Sequence, residues 1–155
     1  MSLRKKLDDA AGRACEAILP IKEEYYLGRG KKLAICTLSS MDLLEQISKS
    51  DLMDKIAIAG RLLSENRGID AMIKFVTGNP DLRVIIVCGK EVKGHRPGQA
   101  LLALVKNGVD RNERIIGASG PYPILRSTAQ DIAAFIRQIG IIDMIGTKDL
   151  KKLVA

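Results

Sequence analysis

The sequence predicts a single Rossmann-like α/β domain, doubly wound, with a mostly parallel sheet and helices on both faces. Two observations carry that expectation. Short apolar runs recur, each ending at or beside Gly, Ser or Thr: LAICTL (33–38), KIAIAG (55–60), RVIIVC (83–88), RIIGA (114–118) and a weaker IIDMIG (141–146). Segments with helical spacing of apolar residues separate them. Strands too apolar to alternate, divided by amphipathic helices, belong to parallel sheets covered on both sides.

Taken in order, residues 3–19 read as an N-terminal helix stopped by Pro20, and EEYYLGRGKK (23–32) as a polar lead-in with two glycines. Residues 1–32 thus introduce one domain spanning 1–155. Ile69, Met72, Ile73 and Val76 share a helical face that Gly78-Asn79-Pro80 ends. Leu101, Leu104 and Val105 share another; Pro97 suits its first turn, and Lys106 and Gly108 mark its end. Ile132, Phe135, Ile136 and Ile139 form a third stripe, entered by a Thr128/Asp131 capping pair and followed by Gly140.

Composition narrows the function classes. A chain of 155 residues with 46% apolar and 28% charged residues buries a real core and is not a disordered polymer. Aromatics at 3%, with no Trp, leave few platforms for stacking bases. The net charge of +7 is spread, clustering only at residues 4–6, 29–32 and 148–152. Without a recognition motif, that charge reads as an anion-attracting surface, suited to a phosphate-bearing cofactor or acidic partner, before a nucleic-acid interface. Cys15, Cys36 and Cys88 are odd in number and lack a CxxC pair, which fits reduced thiols in a cytoplasm. The start, MSLRKKLDDAAGR, is charged where a signal peptide needs an apolar core, and no apolar run approaches the roughly 18 residues of a membrane span.

In a doubly wound sheet, ligands sit outside the carboxyl ends of the strands. Those ends carry Thr37-Leu38-Ser39-Ser40, Gly60 through Asn66, the loop within VIIVCGKEVKGHRPG (84–98), and residues 118–123. The third of these holds His95, the only histidine. Gly89 and Gly94 have GxxxxG spacing, but His95 and Arg96 stand where a P-loop needs Lys and Ser/Thr, and GxGxxG is absent. A nucleophile for His95 is lacking, because Cys88 ends an apolar run and reads as a small core residue. One His with scattered thiols supplies a zinc site poorly. A plain surface imidazole remains open. Against it, Gly89, Gly94 and Gly98 let backbone approach a bulky ligand. The helix start near Pro97, with Lys93 and Arg96, favours the neutral, metal-binding imidazole. One such His on an open crevice suits a metal that brings its own equatorial ligands, as in haem or a corrinoid.

Together, CTLSS, IAGRLLSENRGID, NPDLRVIIVCGKEVKGHRPGQALLALVKNGVD, RIIGASG and IIDMIGTKDL resemble the A subunit of tetrahydromethanopterin S-methyltransferase, in the family's order, over roughly 33–150. The resemblance implies a corrinoid (cobalamin)-binding Rossmann-like domain. Its cobalt takes a methyl group from methyl-tetrahydromethanopterin and passes it to the thiol of coenzyme M, at sites that partner subunits supply. It also implies that His95, in EVKGH, is the lower cobalt ligand. Gly60, Glu65 and Asn66, and across the crevice Gly120, Pro121 and Tyr122, are candidate corrinoid contacts, with Thr37 and Ser39 weaker ones.

Two departures stand out. Cobalamin methyltransferase domains commonly carry D-x-H-x-x-G; here H-x-x-G is kept by His95 and Gly98, but Lys93 takes the Asp position. The imidazole is therefore expected to lack the usual carboxylate partner, with Glu91 the nearest substitute or a mere solvated charge. The family's membrane-complex member also has a C-terminal anchor helix, which this sequence does not show before Ala155, so a soluble relative or soluble domain is expected and sodium coupling is in doubt. The competing reading is a non-catalytic module that binds a nucleotide or other phosphorylated ligand in the same crevice. A nucleic-acid adaptor is third.

Overall fold

The computed structural model describes residues 25–154; the helix expected over residues 3–19 lies outside them. Strands β1 (Tyr25–Leu27), β2 (Leu33–Cys36), β3 (Ile58–Gly60), β4 (Val84–Gly89) and β5 (Gly140–Ile145) form a five-stranded sheet in the order β1-β3-β2-β4-β5. β3, β2, β4 and β5 are parallel, and β1 is antiparallel to β3 at the edge. The runs ending near Leu38, Gly60 and Cys88 are therefore neighbouring parallel strands, as expected.

The central strands are apolar at every position because successive side chains feed two different cores. Ala34, Cys36, Ile85 and Val87 face one cluster, shared with α2 (Arg67–Thr77), α3 (Pro97–Asn107) and α4 (Ala129–Gln138). Ile35, Ala59, Ile86 and Cys88 face the other, shared with α1 (Met41–Ser48) and the short α5 (Leu150–Val154). The expected stripes lie inward: Ile69, Ile73 and Val76 of α2, and Ile132 and Phe135 of α4, are buried. Thr128 Oγ1 accepts the Asp131 N–H at 3.1 Å, which completes the cap foreseen for α4. Cys88 is a core thiol, and burial pushes both Cys36 and Cys88 up to about 12.

Two expectations need correction. RIIGA is not a strand: residues 108–128 make an irregular excursion between α3 and α4, with only isolated bridges Val109–Ile115 and Arg114–Ile124. Of its two isoleucines Ile115 is buried and Ile116 is 46% exposed, and Gly117 has a φ of 89°. A buried parallel strand needs cover on both faces, and this run has it on one. The lead-in EEYYLGRGKK, conversely, contributes β1. Its three residues are too few to alternate visibly. Helix α1 has no counterpart in the sequence reading, although Leu43, Leu44 and Ile47 are buried.

Chain direction sets where the crevice opens. The connection leaving β2 goes through α1 on one face, whereas those leaving β3 and β4 go through α2 and α3 on the other. The loops after β2 and β4 diverge, yet they are stitched at their base. Ser39 donates from N and Oγ to the Lys90 carbonyl at 3.1 and 2.7 Å, and the Lys90 N–H donates to Ser40 Oγ at 2.8 Å. Gly89 makes this stitch possible. Its φ is 77°, and a Cβ there would overlap the Thr37 carbonyl oxygen. Gly89→Ala is expected to cost about 2–4 kcal/mol, combining backbone strain with overpacking. Urea unfolding of the two proteins measures it, and a loss below the scatter of that method would disprove the tight approach.

Candidate functional site

Beyond the carboxyl ends of β3 and β4, three loops meet: residues 61–66, 90–96 and 117–123. The residue that joins them is Glu65. It follows β3, sits one residue before the α2 cap Asn66, and is wholly buried. A buried carboxylate must have its lone pairs satisfied. Oε2 lies 3.0 Å from His95 Nδ1, and Oε1 accepts the Tyr122 N–H at 3.0 Å. Burial alone would push the Glu65 carboxyl up. The amides of Glu65 itself and Tyr122, together with the His95 ring, outweigh it and hold the group below its ordinary range.

His95 is the opposite kind of residue, its side chain 53% exposed. It is carried by the turn between β4 and α3, in which the Arg96 N–H donates to the Val92 carbonyl at 2.9 Å. Gly94 and Arg96 on either side have positive φ values of 87° and 46°. A carboxylate only accepts, so Nδ1 carries a proton, and the neutral form of such a ring has its lone pair on Nε2, for which no hydrogen bond is seen among the described residues. The imidazole is thus anchored at one nitrogen and available at the other. No Cβ-sized neighbour lies above Gly94, so the surface beside the ring is open.

The third loop is held against this pair. A Cβ on Gly120 would collide with the His95 carbonyl oxygen and come within 3.1 Å of the Glu65 carboxylate carbon, so only glycine fits. Asn66 caps α2 through Oδ1 on the Arg67 N–H and donates from Nδ2 to the Tyr122 carbonyl at 3.1 Å. Farther on, Asp70 accepts the amides of Arg126 and Ser127 and the Ser127 hydroxyl. From α3, Gln99 donates to the Gly117 carbonyl at 2.8 Å and accepts the Ser119 N–H at 2.9 Å, and Arg96 reaches Ser119 Oγ at 3.0 Å. Asp70 and Gln99 are not singled out from the sequence, and Ser119 only as part of the stretch 118–123. Their partners lie between 18 and 57 residues away, beyond any local pattern.

The sequence candidates therefore divide. His95, Glu65, Asn66, Gly94, Gly120 and Tyr122 come together, with Pro121 exposed beside them and Lys93 exposed on the turn. Gly60, Gly89 and Thr37 are taken up by the sheet edge, where the Thr37 N–H bonds the Gly60 carbonyl at 2.9 Å. Glu91 does not serve the histidine. Its carboxylate accepts the amides of Gly98 and Gln99 at 3.0 and 2.9 Å, capping α3. Gly98 is needed there because a Cβ would press within 2.8 Å of that carboxylate. The expectation that the imidazole lacks a carboxylate partner is thus wrong, and so is the substitute that local spacing offered. The helix-end argument for the ring also loses its geometry, since Glu91 already occupies the first-turn amides.

Because the Glu65 carboxyl is held low when folded, its contribution to stability is full above the pKa it has in the unfolded chain. That contribution drains away as pH falls through the depressed folded value. Glu65→Gln keeps one acceptor but not the charge, and is expected to cost about 1–3 kcal/mol at neutral pH. The gap between the two proteins should close on acidification through the acidic side of the carboxylate range. Denaturation midpoints measured from pH 7 downward test this, and a gap that stays constant would show that the carboxyl is not ionised against its partners.

Among the described residues no cluster of three or more His, Cys, Asp or Glu side chains could hold a bare metal ion, and no helix is long and apolar enough to cross a membrane. The family model for the A subunit of tetrahydromethanopterin S-methyltransferase matches residues 14–155. The second form of that subunit in Methanothermobacter thermautotrophicus is 43% identical over 101 residues, covering 64% of this chain and 55% of the relative. The corresponding subunits of Methanohalophilus mahii and Methanosarcina acetivorans are each 35% identical, covering 84% and 87% of this chain and 53% and 55% of theirs. The chain spans about half the length of these relatives. On the match across residues 14–155, it belongs to the family of the tetrahydromethanopterin S-methyltransferase A subunit.

Proposed function

We propose that this chain is the corrinoid-carrying subunit of a methyltransferase, in which His95 Nε2 is the lower axial ligand of the cobalt. The observation that carries the reading is the pair itself: an exposed imidazole whose inner nitrogen is held by a buried carboxylate. A metal-binding histidine is commonly built this way, with the second nitrogen donating to a carboxylate that fixes tautomer and orientation. A single nitrogen donor is too few for a bare ion but suits a metal already enclosed by a macrocycle. The residues present fit such a group.

A bound cobalamin would supply the methyl-accepting cobalt. The protein's share is positional. Glu65 keeps Nδ1 protonated and raises the donor strength of Nε2. The Tyr122 amide fixes Glu65, and Gly120 lets that loop close on both. Gly94, Pro121 and Tyr122 border the open surface over which a corrin ring would lie. The methyl donor we assign is a methyl-tetrahydropterin and the acceptor a thiol such as coenzyme M, with their sites on other subunits. The family's S-methyltransferase name supports that assignment. The buried free thiols Cys36 and Cys88 suit a reducing, cytoplasmic setting.

A phosphorylated ligand is favoured less, because the helix ends facing the crevice are already satisfied. The first amides of α3 bond Glu91, and those of α2 bond Asn66 and Ser64. No free anion-binding turn remains at either helix.

His95 is the chain's only histidine, so nitrogen-15 histidine labels one site. The protein loaded with cobalamin and reduced to the cobalt(II) state should show nitrogen hyperfine splitting in electron paramagnetic resonance that changes with the label. His95→Gln retains a donor for Glu65 without an imidazole. It should leave the unfolding midpoint near wild type, weaken corrinoid retention at least tenfold and abolish the label-sensitive splitting. Splitting that ignores the label, or failure of the wild type to take up any corrinoid, would overturn the assignment.

A further inference from the structure

The segment Gly120-Pro121-Tyr122-Pro123 is short of backbone donors. Proline has no N–H, so between positions 121 and 123 only Tyr122 supplies an amide. The two prolines also fix their own φ and push the residues before them, Gly120 and Tyr122, toward extended backbone. Such a segment is stiff. Its one donor is aimed by turning the segment as a unit.

Both backbone groups of Tyr122 are taken by consecutive residues of the β3–α2 connection. Its N–H donates to Glu65 Oε1 at 3.0 Å, and its carbonyl accepts from Asn66 Nδ2 at 3.1 Å. The same carbonyl accepts the Ile124 N–H at 2.8 Å, a bond within the loop that does not orient the loop against anything else. The orientation of the Asn66 amide follows from its other contact. The Arg67 N–H, 2.6 Å away, needs an acceptor, so the atom facing it is Oδ1 and the group facing Tyr122 is the amide NH2. This accounts for asparagine at the position. Aspartate caps a helix equally well and suits its positive end better, but it has no donor for a carbonyl.

We propose that Asn66 is a positioning residue for His95: its grip on the Tyr122 carbonyl aims the Tyr122 N–H at Glu65, which in turn orients the imidazole through Nδ1. The rest of the excursion has its own anchors. Gln99 holds Gly117 and Ser119, Asp70 holds Arg126 and Ser127, and the Pro123 carbonyl accepts the Ile115 N–H at 2.8 Å. Losing the Asn66 donor therefore loosens the Tyr122 peptide without releasing the loop. Oδ1 and Nδ2 of Asn66 are both engaged inside the protein, so its effect on a ligand passes through Tyr122, Glu65 and His95. Only the last step, from ring to cobalt, rests on the ligation proposed above.

Two substitutions separate this role from helix capping. Asn66→Ser keeps a favoured cap and adds no charge, but its hydroxyl is too short to reach the Tyr122 carbonyl. Asn66→Ala removes cap and donor together. The urea midpoint should fall for Asn66→Ala and stay near wild type for Asn66→Ser. Exchange of the Tyr122 amide, followed by NMR in the protein without corrinoid, should quicken about tenfold in both. The nitrogen-15 spectrum of His95, taken where the ring is neutral, should show a smaller share of the Nδ1–H tautomer in both. After cobalamin loading and reduction to cobalt(II), the label-sensitive nitrogen splitting should weaken in both. Wild-type exchange of Tyr122 in Asn66→Ser would overturn the proposal and leave Asn66 a cap alone. So would faster exchange with an unchanged tautomer or an unchanged splitting, because the contact would then hold the loop and not the ring. Should Asn66→Ala fail to fold, Asn66→Ser decides by itself. A wild type that takes up no corrinoid would remove the ligation assigned to His95, while exchange and tautomer still decide the role of Asn66.

Discussion

A carboxylate with no exposure to water is tolerated only where donors converge on it, and Glu65 is the point on which the site depends. Charge-assisted hydrogen bonds contribute about 1.5–3 kcal/mol each, enough to offset desolvation only if several are made at once. Glu65 meets that condition by drawing on three loops. It takes an amide from residue 122, a ring nitrogen from residue 95 and its own backbone amide. Removing any one donor leaves a buried charge short of partners, so the loops are held in place by the electrostatic requirement of one side chain. The exposed imidazole is the visible end of this arrangement, and its orientation is fixed from below.

That requirement could not be met without the sheet. The parallel strands β3 and β4 end on the same side, so that residues 65 and 95, 30 apart in sequence, emerge side by side. The stitch of Ser39 and Ser40 to Lys90 fixes where the chain leaves β4, and Glu91 fixes where α3 begins. Between these two anchors only residues 92–96 are free to shape the turn that presents His95. Two acidic residues thus divide the work: Glu91 neutralises the helix end, and Glu65 is left to serve the ring. Either carboxylate in the other's place would leave an amide pair or an imidazole unpartnered.

Periodicity reveals the parts of the fold that depend on one-dimensional pattern. The apolar runs at 33–38, 55–60 and 83–88 hold β2, β3 and β4, and the stripes of α2, α3 and α4 are legible together with their ends. The two misread apolar runs share a cause. β1 is three residues long and RIIGA five, lengths at which an apolar run cannot be told from a half-covered turn. At the site, His95 and Gly94 are legible because a lone histidine among glycines is locally unusual. Glu65 is a candidate from its place after a strand, but its bond to His95 is not legible there. Its true partner is set by sheet topology, so a search for a carboxylate near position 93 can only find Glu91, whose lone pairs are committed to the helix. The D-x-H spacing of other families is one solution to a three-dimensional problem, and here the carboxylate comes from the loop after β3, one strand removed from β4 across β2.

That substitution changes what the loop carrying Glu65 is coupled to. A carboxylate two residues from its histidine moves with it, as one turn. Here the carboxylate belongs to the β3–α2 connection and the histidine to the β4–α3 connection, while the Tyr122 amide belongs to a third segment. Any shift of the ring along its Nδ1 direction therefore strains contacts in two other loops, and those loops are themselves tied to α2 through Asp70 and Asn66 and to α3 through Gln99. A ligand that pulls on Nε2 acts against the whole carboxyl edge of the sheet, whereas a ligand resting only on the open surface near Gly94 does not. The geometry thus ties the position of the ring to three loops at once, through Glu65 and the Tyr122 amide.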